Sequence, residues 1–139
     1  MGDQMGIFLD TSGIVAVRNE DDINHEKAKT IMKSILKTKY GACYTSDYVF
    51  DEAVTITLVR TKKMELAVDV GNYILKSKSI IKLFTSMDDF YEAWNLFLKY
   101  KDKKLSFIDC SILSLVNRLK IEYIFSFDKH FDGLITRIS

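Results

Sequence analysis

Short apolar runs alternate along the chain with longer stretches in which apolar residues recur every three or four positions. The short runs predict strands at residues 6–9, 42–45, 80–84 and 123–125, with a last short strand within 134–138. The longer stretches predict helices at residues 26–38, 48–60, 64–76, 90–99 and 107–119. The last is the clearest, with Ile108, Ile112, Leu115, Val116 and Leu119 along one side. Apolar strands that alternate with amphipathic helices predict an α/β fold with a mainly parallel central sheet. In such a sheet the working site lies outside the carboxyl ends of the strands. Residues 1–5 read as a leader or remnant ahead of a single domain, 6–139, with no repeat, low-complexity tract or linker.

Composition narrows the picture by exclusion. An apolar content of 47% over 139 residues is that of a globular protein and argues against disorder. No apolar run approaches the ~20 residues of a membrane helix, and the N-terminus lacks the signature of a signal peptide. No membrane role is expected. Cys43 and Cys110 stand far apart without ligand-spaced histidines, which disfavours a zinc site or disulfide framework and suits a reducing cytoplasm. The net charge of +1 announces no nucleic acid, although a local basic groove needs no global excess. No glycine-rich phosphate loop is present, so an NTPase or dinucleotide enzyme is disfavoured.

The candidate chemistry lies in acidic residues at awkward positions. Asp10 ends the apolar run of "GIFLDTSGIV", where desolvating a carboxylate is costly unless it caps a helix or serves a site. Glu52, in "SDYVFDEAVTI", shares a helical stripe with Val49 and Ile56 and must be paired, protonated or metal-bound there. Asp109, in "LSFIDCSIL", forms with Ser106 the pattern of a capping box, a structural role compatible with a place in a site. Asp128 follows the strand in "FSFDKHFD", whereas Asp132 and Asp51 read as solvent-facing. Taken singly, each acid has an ordinary structural explanation. A common site at the strand edge accounts for all of them, provided a cation neutralises their mutual repulsion. Hard oxygen ligands suit Mg²⁺ or Mn²⁺, and two such ions can activate a water for phosphodiester cleavage.

The ordered set "IFLDTSGIVA", "TSDYVFDEAVT", "LSFIDCSIL" and "IFSFDKHFD" resembles the acidic motifs of the PIN-domain family, close to the VapC-type toxins of prokaryotic toxin–antitoxin pairs. The resemblance spans the chain from Ile7 to Ile138. It implies a three-layer α/β/α fold and an Mg²⁺- or Mn²⁺-dependent endoribonuclease, with Asp10, Glu52, Asp109 and Asp128 as the catalytic, metal-holding acids. Ser12 would orient the first carboxylate, and Ser106 matches a position where the family often carries Ser or Thr. It further implies an RNA substrate, a cognate antitoxin and a homodimer. A housekeeping PIN ribonuclease and a catalytically inert PIN-like binding module stay open as alternatives. Haloacid-dehalogenase-like phosphatases also place Asp after an apolar strand, but they need a second Asp where this chain has Ser12.

Basic residues offer candidate RNA contacts: Lys103 and Lys104 within "KYKDKKLS", and Arg60 with Lys62 and Lys63. His25 and His130 accompany no nucleophile motif and read as solvated surface residues. Trp94, Phe97, Leu98 and Tyr100 read as core packing, with an interface as the second possibility.

Overall fold

The computed structural model describes residues 6–139, so the expected leader at residues 1–5 lies outside the described residues. Strands β1 (Gly6–Leu9), β2 (Ala42–Ser46), β3 (Ile80–Leu83), β4 (Tyr123–Phe125) and β5 (Thr136–Ile138) form one sheet in the order β3-β2-β1-β4-β5, every pair parallel. The helices are α1 (Thr11–Arg18), α2 (His25–Leu36), α3 (Asp47–Thr61), α4 (Met64–Lys76), α5 (Met87–Lys99) and α6 (Phe107–Leu119).

Strand order dictates the layers. From β1 the chain moves outward through β2 to β3, then returns past β1 to β4 and β5. Right-handed crossovers therefore place α1–α4 on one face and α5 and α6 on the other. The helices pack in those same groups, α5 against α6 and α1 against α2, α3 and α4. Because β1 is the strand at which direction reverses, the crevice between the carboxyl ends of β1 and β4 is the switch point of the sheet. The core agrees with this reading: Ile7, Phe8 and Leu9 of β1 and Ile124 and Phe125 of β4 are fully buried, as expected for strands covered on both faces.

The expected helices at 64–76 and 107–119 and the expected strands at 6–9 and 123–125 form over those residues, and the other predicted elements form with ends shifted by one to three residues. Helix α5 starts at Met87 rather than at residue 90, because Ser86 and Asp89 form a reciprocal capping box. Helix α1 was not expected from the spacing of apolar residues. It is buried nearly all round, with Gly13, Ile14, Val15, Ala16 and Val17 all buried and none of them polar, so no polar stripe marks its period. Gly13 lets this helix settle onto the sheet. A Cβ there would lie 2.8 Å from the Phe125 ring and 3.0 Å from the Phe125 carbonyl oxygen.

The aromatic segment of α5 corrects an expectation. Phe97 and Tyr100 do pack against the core. Trp94 and Leu98, however, are each about half exposed (48% and 50%), because the buried stripe of α5 runs through Asp89, Ala93 and Leu96.

Candidate active site

Asp10 leaves β1 and enters α1 in a single step. Its backbone N–H extends the β1–β4 ladder by donating to the Phe125 carbonyl at 3.0 Å, while its Oδ1 accepts from the Thr11 N–H at 2.8 Å as the N-cap of α1. Its other oxygen, Oδ2, accepts from the Ser126 hydroxyl at 2.7 Å. Ser126 in turn accepts from the Asp128 N–H at 3.0 Å and lies 3.3 Å from the Ser12 hydroxyl. Ser12 accepts from the Phe127 N–H at 2.9 Å. Two serines thus stitch the loop after β4 to the start of α1, and Asp128 is held by its backbone against the same hydroxyl that holds Asp10.

The other acids approach from separate elements. Asp109 sits in the first turn of α6, with its Oδ2 accepting from the Ser106 N–H at 3.0 Å while its own N–H donates to the Ser106 hydroxyl at 3.0 Å. His130 brings Nδ1 to 3.5 Å from that Oδ2, so the histidine read as a solvated surface residue touches the acidic group. Glu52 projects from α3 and accepts a short hydrogen bond from the Thr11 hydroxyl. Its predicted setting needs correction. The buried stripe of α3 runs through Val49, Ala53 and Thr57; Glu52 and Ile56 are half-buried on its flank, and the partner of Glu52 is a hydroxyl rather than a lysine or arginine.

Electrostatics ties these positions together. Burial pushes the Asp10 carboxyl up from its ordinary 3.8 to about 7; the negative charges of Asp109 and Asp128 add to the rise, and the hydrogen bonds from Ser126 and Thr11 oppose it. Asp10 feels both other carboxylates, although 99 and 118 residues of chain separate it from them. Such a carboxylate gains from a nearby cation. The donors are all oxygen, a set that suits Mg²⁺ or Mn²⁺. As the side chains stand, no group of three or more His, Cys, Asp and Glu residues among the described residues is gathered tightly enough to enclose an ion.

A cleft of about 230 Å³ opens beside the acids, between the start of α1, the side of α3 and the loop after β4. Thr11, Ser12, Glu52, Arg60, Phe127 and Asp128 help to line it. Of the basic residues singled out in the sequence, Arg60 is thus brought to the cleft. Lys103 and Lys104 are exposed on the turn leading into Ser106 and are not part of its lining.

A model of the PIN domain matches residues 7–134. The chain belongs to the PIN domain family. Among curated PIN relatives, the 23S rRNA-specific endonuclease VapC20 of Mycobacterium tuberculosis is 26% identical over 127 residues, covering 91% of this chain and 92% of that protein. The crystal structure of the same VapC20, described as a sarcin–ricin loop cleaving toxin, superposes with a TM-score of 0.82 at 25% identity, covering 91% of this chain and 93% of the other. A toxin–antitoxin complex from Klebsiella pneumoniae shares the fold at a TM-score of 0.66 and 13% identity, covering 96% of each chain. The predicted α/β fold with its parallel sheet is therefore both observed directly and found in these PIN structures.

Ser126 and Thr11 escaped the sequence reading. Each is a small hydroxyl at an element boundary, a type too common to single out. The one available signal is placement, since both lie at the strand ends that the parallel sheet brings together.

Proposed function

We propose that this PIN domain is a divalent-metal-dependent endoribonuclease and the toxin of a toxin–antitoxin pair. The observation that carries the reading is that Asp10 and the Asp128 backbone meet at one Ser126 hydroxyl at the switch point, where the charges of Asp109 and Asp128 add to the rise in the Asp10 pKa. Kinship with VapC20, an endonuclease that acts on 23S rRNA, supports the choice of RNA as substrate.

In this reading Asp10, Glu52, Asp109 and Asp128 hold Mg²⁺ or Mn²⁺. When bound, such ions supply the positive charge that activates a water and stabilises the leaving oxygen in phosphodiester hydrolysis. Ser126 and Ser12 hold the Asp10 and Asp128 loops in register. Ser106 fixes Asp109 through Oδ2, leaving its Oδ1 without a hydrogen-bond partner among the described residues. Arg60 meets the RNA backbone in the cleft, and Lys103 and Lys104 give weaker, screened attraction from the adjoining turn.

A toxin implies a cognate antitoxin, and we infer a homodimer working in the cytoplasm. The half-exposed Phe90, Tyr91, Trp94 and Leu98 on α5 support a protein interface of this sort. No helix among the described residues is long and apolar enough to cross a membrane.

The test is cleavage of total RNA with mapping of the ends, in Mg²⁺ or Mn²⁺ and in EDTA. Cleavage is expected only with metal and is expected to vanish in the Asp10→Asn/Asp109→Asn double variant. Full activity of that folded double variant would overturn the proposal.

A further inference from the structure

The cleft beside the acids carries an aromatic side chain that metal chemistry does not require. Phe127 lies between Ser126 and Asp128, lines the cleft and is only half-buried. Its position is tightly set: its N–H is held by the Ser12 hydroxyl at 2.9 Å, and its ring meets the fully buried Phe125 ring edge-to-face at 5.6 Å and 68°. A phenylalanine fixed in this way but not enclosed loses little entropy on receiving a flat partner.

The groups around Phe127 are those a nucleotide needs. Arg60 lines the same cleft, and no carboxylate pairs with it among the described residues. Asn24 also lines it; this residue precedes α2, yet its side chain makes no capping hydrogen bond, which leaves the amide for a ligand. At about 230 Å³ the cleft is smaller than the ~300–1,000 Å³ of drug-sized pockets. It suits one planar base rather than a larger ligand.

We infer that this cleft is a single-nucleotide subsite, in which Phe127 stacks one unpaired base of the RNA, Arg60 grips a neighbouring phosphate and Asn24 bonds the edge of the base. The inference rests on the ribonuclease reading and deepens it. Because a stacked base must first leave its own helix, the subsite takes a base that is unpaired at the position next to the cut. Phe127 is then a specificity residue, distinct from the acids that hold metal.

The test is fluorescence anisotropy of a fluorescein-labelled single-stranded RNA decamer of mixed sequence, in EDTA so that binding is read without cleavage. Phe127→Leu, which keeps apolar bulk against Phe125, is expected to weaken binding by roughly tenfold, the loss associated with one base–aromatic stack. Phe127→Trp is expected to stay within about threefold of the wild type, since it retains a stacking face. Arg60→Gln is expected to reduce the slope of log affinity against log salt by about 0.7, one phosphate contact on a single strand. The same sequence as a duplex is expected to bind at least ~10-fold more weakly, its bases being already stacked.

Wild-type affinity in Phe127→Leu, an equal loss in Phe127→Trp, an unchanged salt slope in Arg60→Gln, equal affinity for duplex, or no binding by the wild type would each overturn the subsite. Cleavage in Mn²⁺ is scored in parallel. A wild type that binds as described but never cuts would overturn the nuclease reading and leave the subsite standing. A wild type that cuts while Phe127→Leu binds normally would do the reverse.

Discussion

Asp10 makes the metal-free protein less stable than it would otherwise be, and the size of the effect follows from its surroundings. Its folded pKa of about 7 exceeds its ordinary 3.8, so the native state binds a proton that the unfolded chain releases. The sign follows by linkage: the associated stability is fully present below pH ~4, declines as pH rises and is gone above the folded pKa. At ~1.4 kcal/mol per pKa unit, a shift from 3.8 to about 7 corresponds to roughly 4 kcal/mol at pH 8. That is a large share of the ~5–15 kcal/mol of net stability expected for a domain.

Asp10→Asn removes the charge and keeps the shape. The Asn carbonyl can still accept from Thr11 N–H, and its amide can donate to the Ser126 hydroxyl, which then turns its own proton toward Ser12. The assay is urea unfolding of both proteins in EDTA at pH 5 and pH 8. The advantage of the variant is expected to grow by about 3 kcal/mol between those pH values, because the wild type alone loses ~1.4 kcal/mol per unit until pH ~7. Excess Mn²⁺ is expected to restore the wild type, by ~2.7 kcal/mol at a hundredfold excess over Kd, and to leave the variant nearly unmoved. An advantage that is constant from pH 5 to pH 8, or a variant less stable at pH 8, would refute the reasoning.

Other sites give independent checks. Ser126→Ala withdraws a hydrogen bond that holds the Asp10 pKa down, so Mn²⁺ affinity measured by calorimetry is expected to fall, and to fall further at pH 6.5 than at pH 8.5. Gly13→Ala forces a methyl onto the Phe125 ring and backbone and is expected to cost about 1–3 kcal/mol by thermal or urea unfolding, more if α1 lifts from the sheet. Asp89→Ala removes both the α5 capping box and the paired hydrogen bonds from Arg118 at 2.7 and 3.0 Å, and about 2–4 kcal/mol is expected to be lost on unfolding. The Arg118 guanidinium holds the Asp89 carboxyl below its ordinary range, so this contribution is present above pH ~4 and fades as pH falls through the lowered pKa.

The sequence by itself determined the sheet and the strand edge at which Asp10 and Asp128 stand. Apolar strands covered on both faces leave continuous apolar runs, and those runs end in Asp10 and near Asp128 because a carboxylate is tolerated only where the strand emerges. Helix α6 was equally legible, since its period is marked by polar neighbours and its start by the Ser106–Asp109 box. Helix α1 was not, because its run from Gly13 to Val17 holds no polar residue to mark its period.

Tertiary structure alone decided which groups meet. Ser126 touches Asp10 across 116 residues, Thr11 meets Glu52 across 41, and His130 reaches Asp109 from a turn that follows another strand. None of these pairs shares an element, so no local periodicity encodes them; they exist because parallel strands deliver distant residues to one edge. The desolvation of Asp10 is likewise a property of what packs around it. The sequence shows a carboxylate at a strand end, and only the assembled neighbours raise its pKa to about 7.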